Sequence, residues 1–256
     1  MAEPGSFEQF FHDHATLAEE LYQRGKRQAA RLLTAVGIDA LAAIWEHDFS
    51  VNEPASDLRL VRFMQTFLPN DPRTRKIAVV LFAEDLRQYG PARLHLLAQR
   101  LLTERHANVS AMKGLEFREM PHAHKDKDWP ELIAEEPSLA GEVALETMAA
   151  RYTYPGMVYR LVRCASAHAL SGGHRVNDFS PPSGDAEISY WGQMFVRGKR
   201  RPTSIKFGIR ALTGWLRDLA SSYASHCASV GKRPADGLDA NAESVAMLAK
   251  KWSTLS

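Results

Sequence analysis

An arginine and a histidine in the second half of the chain are of the residue types needed to cleave RNA without a metal ion. Arg163 and His168 lie five positions apart in the sequence RCASAH. The guanidinium is permanently cationic and offers a planar fork of donors that suits phosphate. An imidazole, with a pKa of about 6.5, can accept or release a proton near neutral pH. In such a reaction a base removes a 2′-hydroxyl proton and a cation stabilises the charge on the phosphorane.

The spacing alone does not select this pair. Two other arginines are followed by a histidine at a similar distance, in the pairs Arg100–His106 and Arg118–His124. The composition predicts about three such pairs by chance. Only the sequence context can therefore identify a functional pair.

Helical geometry leaves two interpretations of His168 open. On a regular helix Arg163 and His168 would point roughly 140° apart, whereas Arg160 would lie only about 80° from His168. Arg160 is therefore a further candidate for contact with nucleic acid. The alternative is that His168 is a core or interface histidine, because it continues an apolar series formed by Met157, Leu161, Cys164 and Ala165.

Charge is unevenly distributed along the 256 residues, although the net charge is only +2. Residues 151 to 233 carry 13 Lys and Arg against 4 Asp and Glu, whereas residues 1 to 150 have a net charge of −6. A basic block of this kind is typical of a surface that meets phosphates. The alternative is that the acidic half of the chain folds against it.

A second basic cluster lies in a predicted hairpin turn and is flanked by aromatic residues, a combination that suits single-stranded nucleic acid. A turn with solvated charges is the alternative. The cations are Arg197, Lys199, Arg200 and Arg201, and the nearby rings are Tyr190, Trp191 and Phe195.

Other chemistry is less well supported by the sequence. It contains no Gly-rich phosphate loop, HExxH, CxxC or GxSxG motif, so neither nucleotide hydrolysis nor zinc proteolysis is predicted. Glu84 and Asp85 form either an acid pair or the outward edge of a helix. The acidic and histidine-rich sequence PHAHKDKDW is interpreted as a solvated loop, because Lys125 and Lys127 disfavour a bound cation. We predict no metal site and no cofactor.

The elements that must position these residues are mainly helices. Apolar residues recur at helical spacing in three segments before Pro69, and further helices are predicted over 72–89, 91–107, from 138, over 157–170 and over 208–229. Residues 108–137 are predicted to form a long loop. Alternation over 188–196, the turn RGKRRP and the strand TSIKF predict one small β-hairpin before the last long helix. The fold class is thus a mainly α helical bundle with one hairpin.

This arrangement resembles the HEPN superfamily, which carries an R-x4-6-H motif near the end of a bundle helix. It is most similar to uncharacterised HEPN-like proteins in which an Arg-Phe helix (here LRLVRFMQTFLP, 58–69) precedes a Tyr-x-x-x-Arg-Cys-x-x-x-His helix, a hairpin and a final helix. The resemblance implies a HEPN-like domain over 1–230 with an insertion at about 70–150. Residues 231–256 would form a loosely ordered tail with one short helix.

The resemblance also implies a function. Two copies would pair so that their motifs face each other across a cleft and cut RNA without metal, with Arg163 and His168 as the catalytic pair. Such an endoribonuclease would be of a defence or toxin type, with an antitoxin or another protein as partner. Active members usually have a polar residue directly after the arginine, where this chain has Cys164. A noncatalytic RNA-binding or protein-interaction scaffold is therefore the alternative.

The remaining expectations concern location. No uninterrupted apolar run reaches the length of a membrane helix, and the first residues do not resemble an export leader. The two cysteines, Cys164 and Cys227, do not provide a disulfide framework. We therefore expect a cytoplasmic protein without a membrane partner.

Overall fold

The first two helices form a hairpin that opens the bundle. The computed structural model describes residues 4–105, 126–140, 143–164, 188–191, 194–196, 199–201 and 204–235. Helix α1 (Pro4–Gln23) is followed by α2 (Arg27–Asp48), and Gly25 between them has a left-handed φ of 79°. Glycine adopts this conformation without steric cost. Ala15 of α1 and Ile38 and Leu41 of α2 are fully buried where the two helices face the core.

Helices α3 and α9 complete the bundle. Helix α3 (Ser56–Phe67) packs against α2, and α9 (Ile209–Ser229) packs against α1, α2 and α3. The buried face of α9 carries Trp215 and Tyr223, neither of which is exposed to solvent. The helical spacing of apolar residues predicted these elements correctly, because each long helix buries one stripe of side chains.

The segment from 72 to 89 was predicted as one helix, and this prediction is wrong. A 3-10 turn (Pro72–Thr74) comes first, and α4 (Val79–Tyr89) begins only after an extended stretch. In that stretch the Ile77 amide donates to the Lys127 carbonyl at 2.9 Å and the Ala78 amide donates to the Tyr152 carbonyl at 2.8 Å. These long-range backbone bonds replace the local bonds of a helix. A second 3-10 turn (Ala92–Leu94) leads into α5 (His95–Arg105).

The long loop predicted over 108–137 contains a short helix, α6 (Trp129–Glu135). Asp128 accepts a hydrogen bond from the Glu131 amide, and the Glu131 carboxylate accepts one from the Asp128 amide, each at 2.9 Å. This capping box satisfies amides that would otherwise be unpaired at the helix start. Residues 106–125 lie outside the described part of the chain. A 3-10 turn (Pro137–Leu139) and α7 (Val143–Arg151) follow.

Helix α7 ends at Arg151, and the Pro155-Gly156 pair lies in the first turn of the next helix, α8 (Tyr154–Met157). Thr153 caps this helix, since its hydroxyl accepts from the Gly156 amide at 3.4 Å. Proline is well suited to a first helical turn, where its missing amide hydrogen has no partner to lose. Helix α8 continues directly into a π-helical turn (Val158–Cys164).

The predicted hairpin is confirmed, with a shorter connection than expected. Strand β1 (Ile188–Trp191) pairs antiparallel with β4 (Ser204–Phe207), and β2 (Met194–Val196) pairs antiparallel with β3 (Lys199–Arg201). Both pairings follow the same register, and only residues 197 and 198 connect β2 to β3. Three of the six residues predicted as a turn, Lys199, Arg200 and Arg201, therefore belong to a strand. Pro202, which has no amide hydrogen, lies in the sequence gap between β3 and β4.

One hydrophobic core joins these elements. Buried side chains from α4, α5, α6 and α7 belong to the same cluster as those of α2, α3 and α9, so residues within 70–150 share the core of the bundle. At the end of α9, the Ala235 amide donates to Asp48 at 2.8 Å and the Lys232 ammonium donates to the Asp48 carbonyl at 2.6 Å. The rest of the tail, from 236 onward, lies outside the described residues.

Helix α2 is long and apolar enough to cross a membrane. However, 61% of its most apolar window is buried inside the protein. It also carries the charged residues Arg31 and Asp39, which are both buried. This pattern is typical of the central helix of a bundle.

Candidate functional site

Arg163 lies near the end of the π-helical turn that follows α8. Val158 and Val162 on this turn are buried in the core, Arg163 is partly exposed and Arg160 is exposed. In a π-helix the backbone bonds connect residues five apart, and such turns occur frequently at functional sites. The buried valines fix the turn on the core, so that the arginine side chains lie toward its surface.

The guanidinium of Arg163 is held by a buried carboxylate of α2. Its Nε donates to Asp39 Oδ2 at 2.9 Å. The other oxygen, Asp39 Oδ1, accepts from Arg59 Nη2 of α3, also at 2.9 Å. Arg59 Nη1 donates in turn to Glu46 Oε2 at 2.7 Å. Asp39 thus links three elements, α2, α3 and the π-helical turn.

The surroundings of Arg163 keep it charged and oriented. Burial opposes the charge, but Asp39, Tyr159 and Cys164 together outweigh this effect and raise the pKa of Arg163 above its ordinary value. The guanidinium also lies 5.4 Å from the centre of the Tyr159 ring, within the range of a cation–π contact. About a third of its side chain, 32%, remains exposed. Arg163 is therefore a fixed cation that solvent can reach.

Arg160 has different partners. Its guanidinium lies 5.1 Å from the centre of the Tyr152 ring, and the Tyr152 hydroxyl donates to Asp85 of α4. Burial, reinforced by Asp85, raises the pKa of Tyr152 to about 12, so this hydroxyl stays protonated near neutral pH. The two candidate arginines of the π-helical turn thus have separate partners, Asp39 of α2 for Arg163 and Tyr152 for Arg160.

The other predicted site residues are placed only in part. His168 and Arg197 lie outside the described residues. Lys199, Arg200 and Arg201 form strand β3, in which their backbone partners are Val196, Phe195 and Met194 respectively. By this register Lys199 and Arg201 belong to one face of the hairpin and Arg200 to the other.

Two acidic groups have surroundings that differ from those predicted. Asp126 was assigned to a solvated loop but is 2% exposed, because the hydroxyls of Tyr154 and Tyr190 donate to it inside the core. Glu84 was considered as part of an outward helix edge and is instead buried, at 5% exposure. The described residues contain no group of three or more His, Cys, Asp or Glu that could hold a metal ion.

The sequence interpretation missed the residues that hold Arg163. Asp39 lies within the apolar run IDALAAIW and Arg59 lies on the apolar helix α3. Charged residues are almost never buried unless they are paired. An acid in the middle of a core helix and an arginine on a neighbouring core helix were therefore a usable signal for a buried ion pair.

Comparison with known proteins identified no relative. No family model, no curated protein and no solved structure matches this chain. The HEPN resemblance accordingly depends on the motifs quoted above and on the helical bundle that carries them.

Proposed function

We propose that this protein is a HEPN-like endoribonuclease of a defence or toxin type that needs no metal ion. The observation that best supports the proposal is the state of Arg163, a charged side chain that is fixed by Asp39 through Nε and reachable by solvent. Asp39 accepts a bond at Nε, and the Cys164 side chain is a further hydrogen-bonding neighbour of the guanidinium. The Nη donors of this cationic fork are of the kind that binds an anion such as phosphate.

In the proposed reaction the histidine transfers protons and the arginine stabilises charge. His168 removes the proton of a 2′-hydroxyl, which attacks the adjacent phosphorus, and a protonated imidazole returns a proton to the leaving 5′-oxygen. Arg163 stabilises the negative charge that develops on the non-bridging oxygens. The products are a 2′,3′-cyclic phosphate and a 5′-hydroxyl, and no metal-bound water enters the reaction.

The proposed partners are RNA, a second copy of the chain and a restraining protein. RNA is the substrate, and Arg160, Arg197, Lys199, Arg200 and Arg201 bind its phosphates outside the reacting bond. Two copies of the chain associate as a homodimer, so that the motif of each copy faces that of the other. The protein acts in the cytoplasm, and an antitoxin or another protein partner restrains its activity.

A second candidate function is a noncatalytic HEPN-like scaffold that binds RNA or a protein. The ion pair between Asp39 and Arg163 favours it, because a neutralised arginine has less attraction left for a phosphate. Cys164 also occupies the position where active members usually have a polar residue. In this case the basic hairpin, rather than Arg163, would carry the binding.

Cleavage of a generic single-stranded RNA in EDTA distinguishes the two candidates. We expect cleavage by the wild type and a loss of about 100-fold or more in His168→Ala and in Arg163→Met. Arg100→Ala is the matched control, since Arg100 also precedes a histidine at six positions but forms an exposed ion pair with Glu136. Equal cleavage by the wild type and His168→Ala, or cleavage by neither, would exclude the enzyme.

A further inference from the structure

We infer that Asp39 is the positioning residue of the proposed nuclease, which orients the Arg163 guanidinium toward the scissile phosphate. This inference rests on the proposed function and adds a residue that no sequence motif assigns. Asp39 does not contact RNA in this role. It acts through Arg163, to which it is joined by a 2.9 Å bond.

The geometry of the contact supports orientation rather than simple neutralisation. A carboxylate that pairs with an arginine in bidentate fashion accepts two parallel hydrogen bonds from the guanidinium. Asp39 instead accepts one bond from Arg163, at the Nε edge, and uses its other oxygen for Arg59. This contact therefore uses the Nε group of Arg163 and not its Nη groups. A phosphate can bind the Nη groups without displacing the carboxylate.

The Asp39 side chain is itself held in place by burial and by an ion pair. Its side chain is only 11% exposed and is fixed by Arg59, which is 15% exposed. Glu46 anchors the far side of Arg59 at 2.7 Å. Two acids and two arginines thus form one chain of contacts with no net charge. A partly buried network of this kind restricts the rotamers of its members more strongly than an exposed ion pair does.

The Tyr159 ring provides a second constraint on Arg163. It lies on the same π-helical turn, and its centre is 5.4 Å from the guanidinium carbon. A carboxylate at the Nε edge and a ring beside the guanidinium together limit both its position and its tilt. Catalytic groups that are fixed in this way lose less entropy in the transition state.

A positioning role and a purely structural role predict different kinetics. Asp39→Asn keeps the size of the side chain but removes its charge. If Asp39 orients Arg163, kcat should fall by about tenfold or more, because small displacements of a catalytic group are costly. KM should not rise, since a negative charge beside the phosphate site has been removed. A purely structural role would lower the fraction of folded enzyme and leave kcat per folded molecule unchanged.

The control is Glu19→Gln, which removes one negative charge from an ion pair with Arg217 that lies outside this network. We expect kcat for the generic RNA in EDTA to stay within about twofold of the wild type for this variant. We expect Asp39→Glu to recover part of the activity lost in Asp39→Asn. An unchanged kcat in Asp39→Asn, or an equal fall in Glu19→Gln, would overturn the inference while leaving the nuclease intact.

A second measurement tests the contact without RNA cleavage. The Nε–H group of Arg163 can be observed by NMR and assigned by its loss in Arg163→Lys. We expect slow exchange of this proton with water in the wild type and in Glu19→Gln, and fast exchange in Asp39→Asn. Fast exchange in the wild type would overturn the inference even if Asp39→Asn were poorly folded. Absence of cleavage by the wild type would refute the proposed function and, with it, the positioning role.

Discussion

The hydroxyl of Tyr154 donates a hydrogen bond of 2.7 Å to Asp126, a carboxylate buried in the centre of the protein. Tyr190 of β1 donates to the same oxygen, and the Val79 amide at the start of α4 donates to the other oxygen at 3.2 Å. Burial, reinforced by Asp126, holds the pKa of both tyrosines well above its usual range. Asp126 thus joins the hairpin, the start of α4 and the helix that leads to Arg163.

We predict that Asp126→Ala lowers the free energy of unfolding by about 3 kcal/mol, because three buried donors lose their acceptor. Tyr154→Phe removes one donor and should cost only about 1 kcal/mol. Urea unfolding followed by circular dichroism measures both values. A cost of less than 1 kcal/mol for Asp126→Ala would mean that this carboxylate is hydrated rather than buried.

The pH dependence of stability should reflect Asp71. Burial raises the pKa of this carboxyl, but hydrogen bonds from Arg73 and from Trp215, at 2.7 Å, outweigh burial and lower it below 3.8. A carboxyl group whose pKa is lower in the folded than in the unfolded state stabilises the folded state at pH values above the unfolded-state pKa. This stabilisation is lost as the pH falls through the folded-state pKa. We therefore predict a fall in unfolding free energy below about pH 4, and a shallower fall in Asp71→Asn. Identical pH profiles would contradict this prediction.

Replacement by alanine should change the free energy of unfolding in opposite directions at two helical glycines. A Cβ at Gly156 would lie 2.6 Å from the Arg151 carbonyl oxygen, whereas a Cβ at Gly214 would meet nothing within 4 Å. We predict that Gly156→Ala costs about 2 kcal/mol, because backbone atoms must move. Gly214→Ala should instead raise the free energy of unfolding by about 0.5 to 1 kcal/mol, since alanine reduces the conformational freedom of the unfolded chain. Thermal unfolding compares them directly.

Asp48 should keep the end of α9 and the residues after it in place. It accepts from the Tyr223 hydroxyl and from the Ala235 amide, and its carbonyl accepts from Lys232. We predict that Asp48→Ala increases hydrogen exchange of the Ala235 amide by about tenfold or more and leaves the centre of α9 protected. Asp13→Ala, at an exposed position of α1, is the control. Equal exchange in both variants would show that Asp48 is not the anchor.

RNA binding should depend on the charges of β3. Replacement of Lys199, Arg200 and Arg201 by glutamine should weaken binding to single-stranded RNA and reduce the slope of log affinity against log salt by about 2. A variant with Arg24, Lys26 and Arg27 replaced by glutamine removes the same charge from the exposed connection between α1 and α2. We expect a much smaller change in slope for this control. Equal slopes in the two variants would exclude a specific role for the hairpin.

The fold was predictable where local patterns decide it. The long helices α1, α2, α3 and α9 each carry an apolar stripe, and that stripe is sufficient to predict a helix. The segment before α4 was not predictable in this way, because Ile77 pairs in β-bridges with Lys127 and Thr153, which lie 50 and 76 positions away. Helix α6 did have a local signal, the capping box of Asp128 and Glu131, which a search for apolar periodicity overlooks.

The candidate site was predictable only in part. Arg163 was identified from its residue type and sequence context. Its partner Asp39 is 124 positions earlier in the chain, and no spacing rule links the two. The contact depends on how α2 packs against the π-helical turn, which is a property of the core. The burial of Asp126 depends in the same way on Tyr154 and Tyr190, which lie on two other elements.

The π-helical turn also limits how this part of the chain can change in length. A π-helical turn holds one residue more than the corresponding α-helical turn, so deletion of a single residue between Val158 and Arg163 would restore regular α-helical bonding. Because the extra residue is given up within the turn, the arginine would keep its orientation and its contact with Asp39. The same deletion in α8, which has no extra residue, would rotate the arginine by about 100° and break that contact. Relatives that retain both Arg163 and Asp39 should therefore differ in length within the turn and not within α8.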